Sequence, residues 1–471
     1  MRMPPPRRKT RSPDRPQVRP PPLRMAAGRS PPPRAREPPP QCGRRTRSPP
    51  ITDRSGQSEV SVDEALARIL AHFPARDSVV VSLLETVGQV TASDVFAPRD
   101  VPPLTNAAMD GYAVRGTDIA GATLQTPVRL KVRENLAAGR VARLGIEPGT
   151  AIRIMTGAPV PDGADTVVPF EDTSESSERL AELAADRIDV FVAWREGANI
   201  RRAGEDLARG DLIIPQGTIV RPAHVGACAS MGFRALTVYR RPRIGILSTG
   251  DELLEPGQTW TPGKIYDANS YVLHAMTVQC GGEVVRLGIA PDDPDALMER
   301  IAACDGLDML VTSAGVSAGD FDVVKTAMLR AGDVTFYRVR MRPGRPLAFG
   351  RLGGVPLVGL PGNPVAASIG FEVFCRPAIR RMLGKTDLGR PTVRAEFRGR
   401  VDNYDRRRSF YRVQLERSGD RTVARLTGPQ GSGILRSLVI ADGLMVIPED
   451  RPTAITGEEV TVMLIHGIED G

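Results

Sequence analysis

Several residue types are scarce in this chain of 471 residues, and their scarcity excludes whole classes of site. The five cysteines are scattered without a Cys-x-x-Cys pair, and only four histidines are present. Such a set lacks the spacing of a structural zinc site. An odd, unspaced set of cysteines also predicts reduced thiols and a cytoplasmic protein. No window approaches 18 consecutive apolar residues, so the sequence predicts no membrane-spanning helix.

Positive charge is concentrated at the N-terminus. The first 50 residues hold 14 Lys plus Arg against two acidic residues, a net of +12, so the remaining chain carries 8 − 12 = −4. The same 50 residues include 16 prolines and almost no aliphatic side chains. A segment of this composition cannot bury enough apolar surface to fold, so residues 1–58 are predicted to form a disordered tail. A nucleic-acid-binding function rests on this tail alone, and we do not favour it.

The middle of the chain alternates strand and helix patterns. Residues 243–249, 284–289, 308–312 and 356–360 are predicted strands, and helices are predicted near 270–279, 294–303, 322–331 and 365–382. This alternation predicts an α/β domain with a mainly parallel sheet over residues 241–388.

The flanking regions are rich in short strand patterns. Residues 59–240 begin with an amphipathic helix over 60–73, for which Ser61 is a candidate cap, and contain a β-rich insert at about 117–200. Residues 389–471 hold five short alternating runs, which predict a small all-β barrel. The predicted fold is therefore multidomain, with a central α/β domain, a β-rich N-terminal region and a C-terminal β-barrel.

Polar residues follow the predicted strands of the α/β domain. Loops that leave the carboxyl ends of parallel strands meet at one edge of the sheet, where ligands bind. The candidate carboxylates in these loops are Asp251, Glu252, Asp292, Asp320 and Asp322. Carboxylates beside the phosphate-binding turn predicted at 361–364 favour Mg²⁺. The two guanidinium groups of Arg342 and Arg345 form a candidate oxyanion clamp.

One motif is also compatible with a hydrolase. Residues 315–319 (GVSAG) match the G-x-S-x-G pattern of a nucleophile elbow. The only histidine that follows Ser317 is His466, which belongs to the predicted barrel. A hydrolase triad is therefore not favoured.

Seven motifs, in order along the chain, resemble those of the molybdopterin molybdenumtransferase family, which includes bacterial MoeA and the gephyrin E-domain. They are 106–115 (NAAMDGYAVR), 153–159 (RIMTGAP), 199–206 (NIRRAGED), 247–253 (LSTGDEL), 312–319 (TSAGVSAG), 342–346 (RPGRP) and 360–364 (LPGNP). The resemblance covers about residues 59–471 and leaves only the tail outside.

The resemblance implies an enzyme of molybdenum cofactor biosynthesis. It would insert molybdate into the dithiolene of adenylylated molybdopterin with release of AMP, assisted by Mg²⁺. The resemblance also implies a homodimer whose site lies between the α/β domain of one subunit and N-terminal segments of the other. Implied partners are the adenylylating enzyme and apo-molybdoenzymes. The sequence does not distinguish molybdenum from tungsten.

The resemblance also assigns roles to residues. Those tied to activity are Asp110, Thr156, Asp206, Glu252, Asp292 and Asp322, with Glu252 and Asp322 also implied as metal ligands. Those implied to bind substrate are Ser248, Gly250, Ser313, Gly315, Ser317, Arg342, Arg345, Pro361, Gly362, Asn363, Pro364, Arg412 and Ser432.

The chain departs from the family pattern at two motif positions and at one position just after the last motif. Arg342 and Arg345 stand where the family usually has Lys, and Ala366 stands where it often has Ser. Arginine keeps the positive charge but is bulkier and forks to two oxygens, so affinity for molybdate could differ. The competing hypothesis is a catalytically inactive scaffold or pterin carrier, which would need few of the carboxylates named above.

Overall fold

The structure is a computed structural model that describes residues 58–175, 186–290, 293–304, 306–314 and 333–466. The predicted tail up to residue 57 and the predicted helix at 322–331 lie outside the described residues. None of the described helices is long and apolar enough to cross a membrane.

A seven-stranded sheet forms the centre of the fold. Its strands are β1 Ser58–Val60, β2 Arg243–Thr249, β3 Glu283–Ala290, β4 Met309–Ser313, β5 Asp333–Val339, β6 Pro346–Leu352 and β7 Val355–Leu360. Their order is β1-β5-β6-β7-β4-β2-β3. Strands β7, β4, β2 and β3 are mutually parallel, and β6 alone runs antiparallel to its neighbours. The predicted mainly parallel sheet is confirmed.

Helices cover this sheet and the elements beside it. They are α1 Val62–Leu70, α2 Pro222–Ser230, α3 Ala268–Gln279, α4 Pro294–Ala302, α5 Pro364–Gly370, α6 Arg376–Met382 and α7 Arg436–Val439. The predicted helix over 365–382 is interrupted by a π-helical turn, Phe371–Cys375, between α5 and α6. Pro377 explains the break, because it has no N–H to donate to the carbonyl of Val373.

The first helix packs against the α/β domain although a long N-terminal region separates the two in sequence. The Ser61 side chain accepts a hydrogen bond from the Glu64 N–H at 3.1 Å, which confirms the predicted cap. Ile69 and Phe73 are buried in the same apolar cluster as the central sheet. Strand β1 pairs in parallel with β5 at the sheet edge. The described part of the chain therefore begins on the α/β domain, leaves it after α1, and returns at β2.

The region between α1 and β2 is mostly β-structure, as predicted. A five-stranded sheet has the order Thr166–Pro169, Gly111–Val114, Thr150–Ile154, Val128–Leu136 and Arg187–Val190. Three two-stranded pairs accompany it: Ser78–Ser82 with Ala235–Tyr239, Val95–Phe96 with Leu212–Ile214, and Asn106–Ala107 with Ile200–Arg201.

The buried carboxylate of Asp308 links the two places where the chain passes between the α/β domain and the N-terminal region. Its carboxylate accepts hydrogen bonds from both Nη atoms of Arg240, at 2.9 and 3.0 Å, and from the Arg243 N–H at 2.8 Å. Arg76 forms an ion pair with the same carboxylate at 2.9 Å. Two arginines and a backbone N–H thus surround one buried carboxylate.

Replacing Asp308 by Ala is expected to lower the free energy of unfolding by about 3–5 kcal/mol, because arginines are then left without their partner. The measurement is urea denaturation followed by circular dichroism. Asp189→Ala is the control, since its ion pair with Arg129 is at the surface and contributes about 0–1 kcal/mol. Equal losses in the two variants would contradict the role assigned to Asp308.

The C-terminal region is a closed barrel of five strands, as predicted. The strands are β8 Thr392–Arg398, β9 Arg408–Ser418, β10 Arg421–Leu426, β11 Gly443–Ile447 and β12 Glu459–Leu464. Strand β9 pairs with both β10 and β11, which closes the ring. A short strand, Met341–Arg342, adds in parallel to β9, so the loop before β6 is attached to the barrel.

Candidate active site

Loops from the carboxyl ends of β2, β4 and β7 meet at one edge of the central sheet. Ala314 donates its N–H to the Leu360 carbonyl at 3.1 Å, and the Asn269 amide donates to the Gly362 carbonyl at 2.7 Å. The loops enclose what we call the carboxylate cleft. It is lined by Thr249, Glu252, Leu253, Ile265, Tyr266, Asp267, Ala268, Asn269, Ser313, Ala314, Gly362 and Pro364. The predicted meeting of the three loops is observed.

Not every candidate in these loops lines the cleft. Ser248 is fully buried, and its Oγ lies 3.4 Å from the Ser313 Oγ, so the next residue, Thr249, lines the cleft instead. The alternation of side chains along β2 explains this difference of one position. Five candidates lie outside the described residues: Asp292, Gly315, Ser317, Asp320 and Asp322.

A second group of side chains forms the arginine cleft, between the α/β domain and the barrel. Its two adjoining parts are lined by Met341, Arg342, Pro343, Gly344, Arg345, Pro346, Pro361, Gly362, Asn363, Ala366, Arg407, Phe410, Tyr411, Arg412, Gln430, Gly431 and Ser432. Asn363 donates from its amide to the Ser432 Oγ at 3.1 Å, and Val365 donates its N–H to the Ser432 carbonyl at 3.1 Å. Gly362 belongs to both clefts, so the two are adjacent.

Arg412 is the most unusual residue of the arginine cleft, because it is a buried cation, 1% exposed. Its Nε donates to the Ser437 Oγ at 3.0 Å and its Nη2 to the Gly431 carbonyl at 3.1 Å. Within the described part of the chain, no carboxylate pairs with it. Burial lowers the pKa of the Arg412 guanidinium to about 10. An anion in the cleft would offset this desolvation.

The other arginines of the cleft are more accessible. Arg345 donates from Nη2 to the Glu59 Oε1 at 3.2 Å, and its Nε is buried without a partner among the described residues. Arg342 is exposed and makes no ion pair within the described ranges. Arg407, paired with Asp405 at 3.5 Å, was not among the sequence candidates. Its only sequence signal is the basic run at 406–408, which does not distinguish a cleft from a surface turn.

Three candidates lie in the N-terminal region instead. Pairing of Gly111 with Ile154 brings Asp110 to Thr156, 46 residues away. The Asp110 Oδ1 accepts hydrogen bonds from the Thr156 N–H at 2.6 Å and from its hydroxyl at 2.8 Å. These two donors hold the pKa of Asp110 below its ordinary value.

Asp206, the third of these candidates, is exposed and immediately precedes Leu207, which forms a backbone bridge with Val101. Asp110, Thr156 and Asp206 line neither the carboxylate cleft nor the arginine cleft of their own chain.

Comparison with known proteins defines the class. Three family models match in series: the MoeA N-terminal region (domain I and II) at residues 60–232, the "Probable molybdopterin binding domain" at 245–381, and the MoeA C-terminal region (domain IV) at 394–465. The second match contains the carboxylate cleft, and the third contains Arg412. The chain therefore has the domain organisation of a MoeA-type protein, a class of protein of molybdenum cofactor biosynthesis.

Individual relatives agree over nearly their whole length. The chain is 41% identical to molybdopterin molybdenumtransferase 2 of Mycobacterium tuberculosis over 85% of this chain and 98% of that protein. It is 32% identical to molybdopterin molybdenumtransferase of Haemophilus influenzae, over 86% and 98%. The crystal structure of a MoeA protein from Pyrococcus horikoshii matches with a TM-score of 0.75 and 31% identity, over 87% and 100%. The chain belongs to the MoeA family.

Proposed function

We propose that this protein is a molybdopterin molybdenumtransferase, which inserts molybdate into the dithiolene of adenylylated molybdopterin and releases AMP. The observation that carries the proposal is the contact of the two clefts at Gly362. One cleft offers carboxylate and hydroxyl oxygens and the other offers arginines. A substrate with a phosphoanhydride and an incoming oxyanion needs both environments side by side.

The arginine cleft is proposed to bind molybdate. Arg342 and Arg345 supply charge from the α/β domain, and Arg412 and Ser432 supply a cation and a hydroxyl from the C-terminal region. The guanidinium forks suit a tetrahedral oxyanion, which accepts two parallel hydrogen bonds from each. The Pro361–Pro364 turn holds Asn363 against Ser432 and so fixes the wall between the clefts.

The carboxylate cleft is proposed to bind the pyrophosphate part of the substrate with Mg²⁺. Its hard oxygen donors fit that ion, and Glu252, together with Asp322, would hold it. When bound, Mg²⁺ supplies positive charge that offsets the charge on the phosphates. Thr249 and Ser313 contribute hydroxyls that orient the phosphate oxygens. No nucleophile from the protein is required, which agrees with the scarcity of histidine and cysteine.

We further propose that the complete site forms in a homodimer. Asp110, Thr156 and Asp206 line neither cleft of their own chain, yet their motifs are those of the family. A second copy is proposed to bring its Asp110–Thr156 pair to the carboxylate cleft. The adenylylating enzyme and apo-molybdoenzymes are proposed as partners. The proposed location is the cytoplasm, where the buried thiols of Cys228, Cys280 and Cys375 would stay reduced.

The test is AMP release from adenylylated molybdopterin by the purified full chain, with Mg²⁺ and with or without molybdate. Release that depends on molybdate is expected. Tungstate replaces molybdate in a parallel reaction, because the two oxyanions are chemically similar. Binding of the pterin without any release would reject the transferase and favour the carrier.

Gly250→Ala is expected to lower the rate of this reaction roughly tenfold by displacing the Glu252 carboxylate. Gly250 has φ +139°, and a Cβ there would collide with that carboxylate. The rate is measured across a Mg²⁺ titration. Gly257→Ala is the control, since it has φ +99° with open space around it. The two variants share backbone strain of about 1–3 kcal/mol. Equal rates in the two would show that Glu252 is not displaced.

A further inference from the structure

Asp267 carries a buried carboxylate oxygen for which the described residues supply no partner. Its Oδ1 caps α3 by accepting a hydrogen bond from the Ser270 N–H at 3.0 Å. Its Oδ2 is buried and has no hydrogen-bond partner among the described residues, and the side chain is 1% exposed. Because an unpartnered carboxylate oxygen is costly to bury, a hydrogen-bond donor brought by a ligand would be stabilised at this atom.

The surroundings of Asp267 are those of a site for a flat ring. Asp267 lines the carboxylate cleft next to Ile265 and Tyr266, which are 58% and 43% exposed. The Tyr266 hydroxyl donates to the Gln258 carbonyl at 2.9 Å, so the ring is held in place. An apolar wall with one polar group to fix orientation is the usual composition of a small-molecule site.

The chemistry of Asp267 narrows the ligand. A carboxylate repels phosphate, so the phosphates are excluded from direct contact with it. Within the described ranges, no three His, Cys, Asp or Glu side chains are grouped to hold a metal ion. The Mg²⁺ proposed for this cleft is assigned to Glu252 and Asp322, so Asp267 is not needed as its ligand. The class of ligand that remains is one with an N–H donor, which would form a charge-assisted hydrogen bond to Oδ2.

We propose that the Asp267 Oδ2 accepts a hydrogen bond from the amino group of an amino-substituted heterocycle whose ring lies on Tyr266 and Ile265. This inference rests on the proposed function, and it concerns which end of the substrate enters the cleft. The adenylylated pterin has two such rings. A pterin presents two adjacent N–H donors, whereas adenine presents an amino group beside an acceptor nitrogen. The carboxylate therefore suits the pterin better than adenine.

The experiment is titration calorimetry of the full chain with 6-hydroxymethylpterin and, separately, with adenosine, both in EDTA. Asp267→Asn keeps the cap through its amide oxygen but presents N–H groups to the ligand. Binding of the pterin is expected to weaken roughly 10- to 100-fold. If Asp267→Asn weakens the binding of adenosine and leaves that of the pterin unchanged, the site stands and its ligand is adenine. Unchanged binding of both rings, or no binding to the wild type, would overturn the proposal.

Two further variants guard against indirect effects. Asp94→Asn is the matched control, because Asp94 is an exposed carboxylate that also accepts one backbone N–H, from Gln216 at 2.7 Å. It should bind both rings as the wild type does. Tyr266→Ala removes the proposed stacking surface and should weaken the same ring as Asp267→Asn, even if the latter folds poorly. If Asp267→Asn weakens the binding of one ring and Tyr266→Ala weakens the binding of the other, the proposal is overturned.

The readouts separate this inference from the proposed function. If the wild type releases AMP and Asp267→Asn binds both rings normally, only the inference fails. If the wild type releases no AMP but Asp267→Asn still loses binding of one ring, the ring-binding site stands and the proposed transferase activity is rejected. The titrations are repeated with Mg²⁺ in place of EDTA. A loss of binding that appears only with Mg²⁺ would make Asp267 a cation ligand and overturn the inference.

Discussion

Replacing Arg412 by Met is expected to lower molybdate-dependent AMP release by roughly 100- to 1000-fold, the usual cost of removing a preorganised charge from a transition state. The guanidinium is buried, fixed by Ser437 and Gly431, and without a carboxylate partner in the described part of the chain. Its positive charge is therefore available to an anion. Arg412→Lys keeps the charge but loses the fork, and an intermediate rate is expected.

Thermal unfolding gives an independent readout of the same residue. Burial lowers the pKa of Arg412 to about 10, below its value in the unfolded chain, so burying the charge costs stability at neutral pH. That cost diminishes as pH rises through about 10, because the folded state then loses its proton before the unfolded state does. At neutral pH a bound oxyanion relieves the cost. Molybdate should therefore raise the Tm of the wild type and leave that of Arg412→Met unchanged.

Arg394→Met is the matched control for both measurements. Arg394 lies on the same barrel, is exposed, and pairs with Glu459 at 3.4 Å outside the arginine cleft. Its rate and its response to molybdate should equal those of the wild type. If Arg412→Met kept its rate within a few-fold, the buried cation would be structural and the oxyanion would bind elsewhere.

Mixing two inactive variants is expected to restore activity if the site is shared between subunits. Asp110→Ala and Glu252→Ala are each expected to lose nearly all AMP release. In a dimer of one subunit of each kind, one site has both native residues and the other has neither. Random co-assembly should then restore about one quarter of the wild-type rate, since half of the dimers are mixed and each has one intact site.

The measurement is AMP release from co-expressed variants carrying different affinity tags, before and after the mixed dimer is purified through both tags. The purified mixed dimer should reach about half of the wild-type rate, because one of its two sites is intact. Asp110→Ala mixed with Arg412→Met tests the second cleft in the same way. A double variant with both substitutions in one chain, mixed with the wild type, is the control for dilution. No recovery in the mixed dimer would place Asp110 and Glu252 in one chain's site or remove Asp110 from the reaction.

The α/β domain could be predicted in detail because its signals are local. Apolar runs such as 243–249 and 309–313 are bounded by glycine and polar residues, and each became a buried strand. The turn at 361–364 separates β7 from α5 at the position predicted from the sequence. The spacing of apolar residues and the Gly and Pro residues that end an element depend only on neighbouring residues, so both can be seen in a single sequence.

The composition of the clefts could not be predicted to the same degree. Asp267 is not among the residues predicted from the sequence, and the structure shows that it caps α3. Nothing local shows that its second oxygen is buried in a cleft beside Tyr266. Arg412 entered the candidates through family resemblance alone, since a strand arginine is usually a surface residue. Its burial depends on β11 and α7, which follow it in the chain.

The sequence by itself determined the periodicity of each element, the order of the three regions and the residue types available for chemistry. Tertiary structure alone decided that β1 pairs with β5, that Met341–Arg342 joins the barrel and that the two clefts meet at Gly362. The reason is physical. Local pattern selects helix or strand, whereas pairing partners are chosen by apolar burial and hydrogen bonding between residues that are hundreds of positions apart.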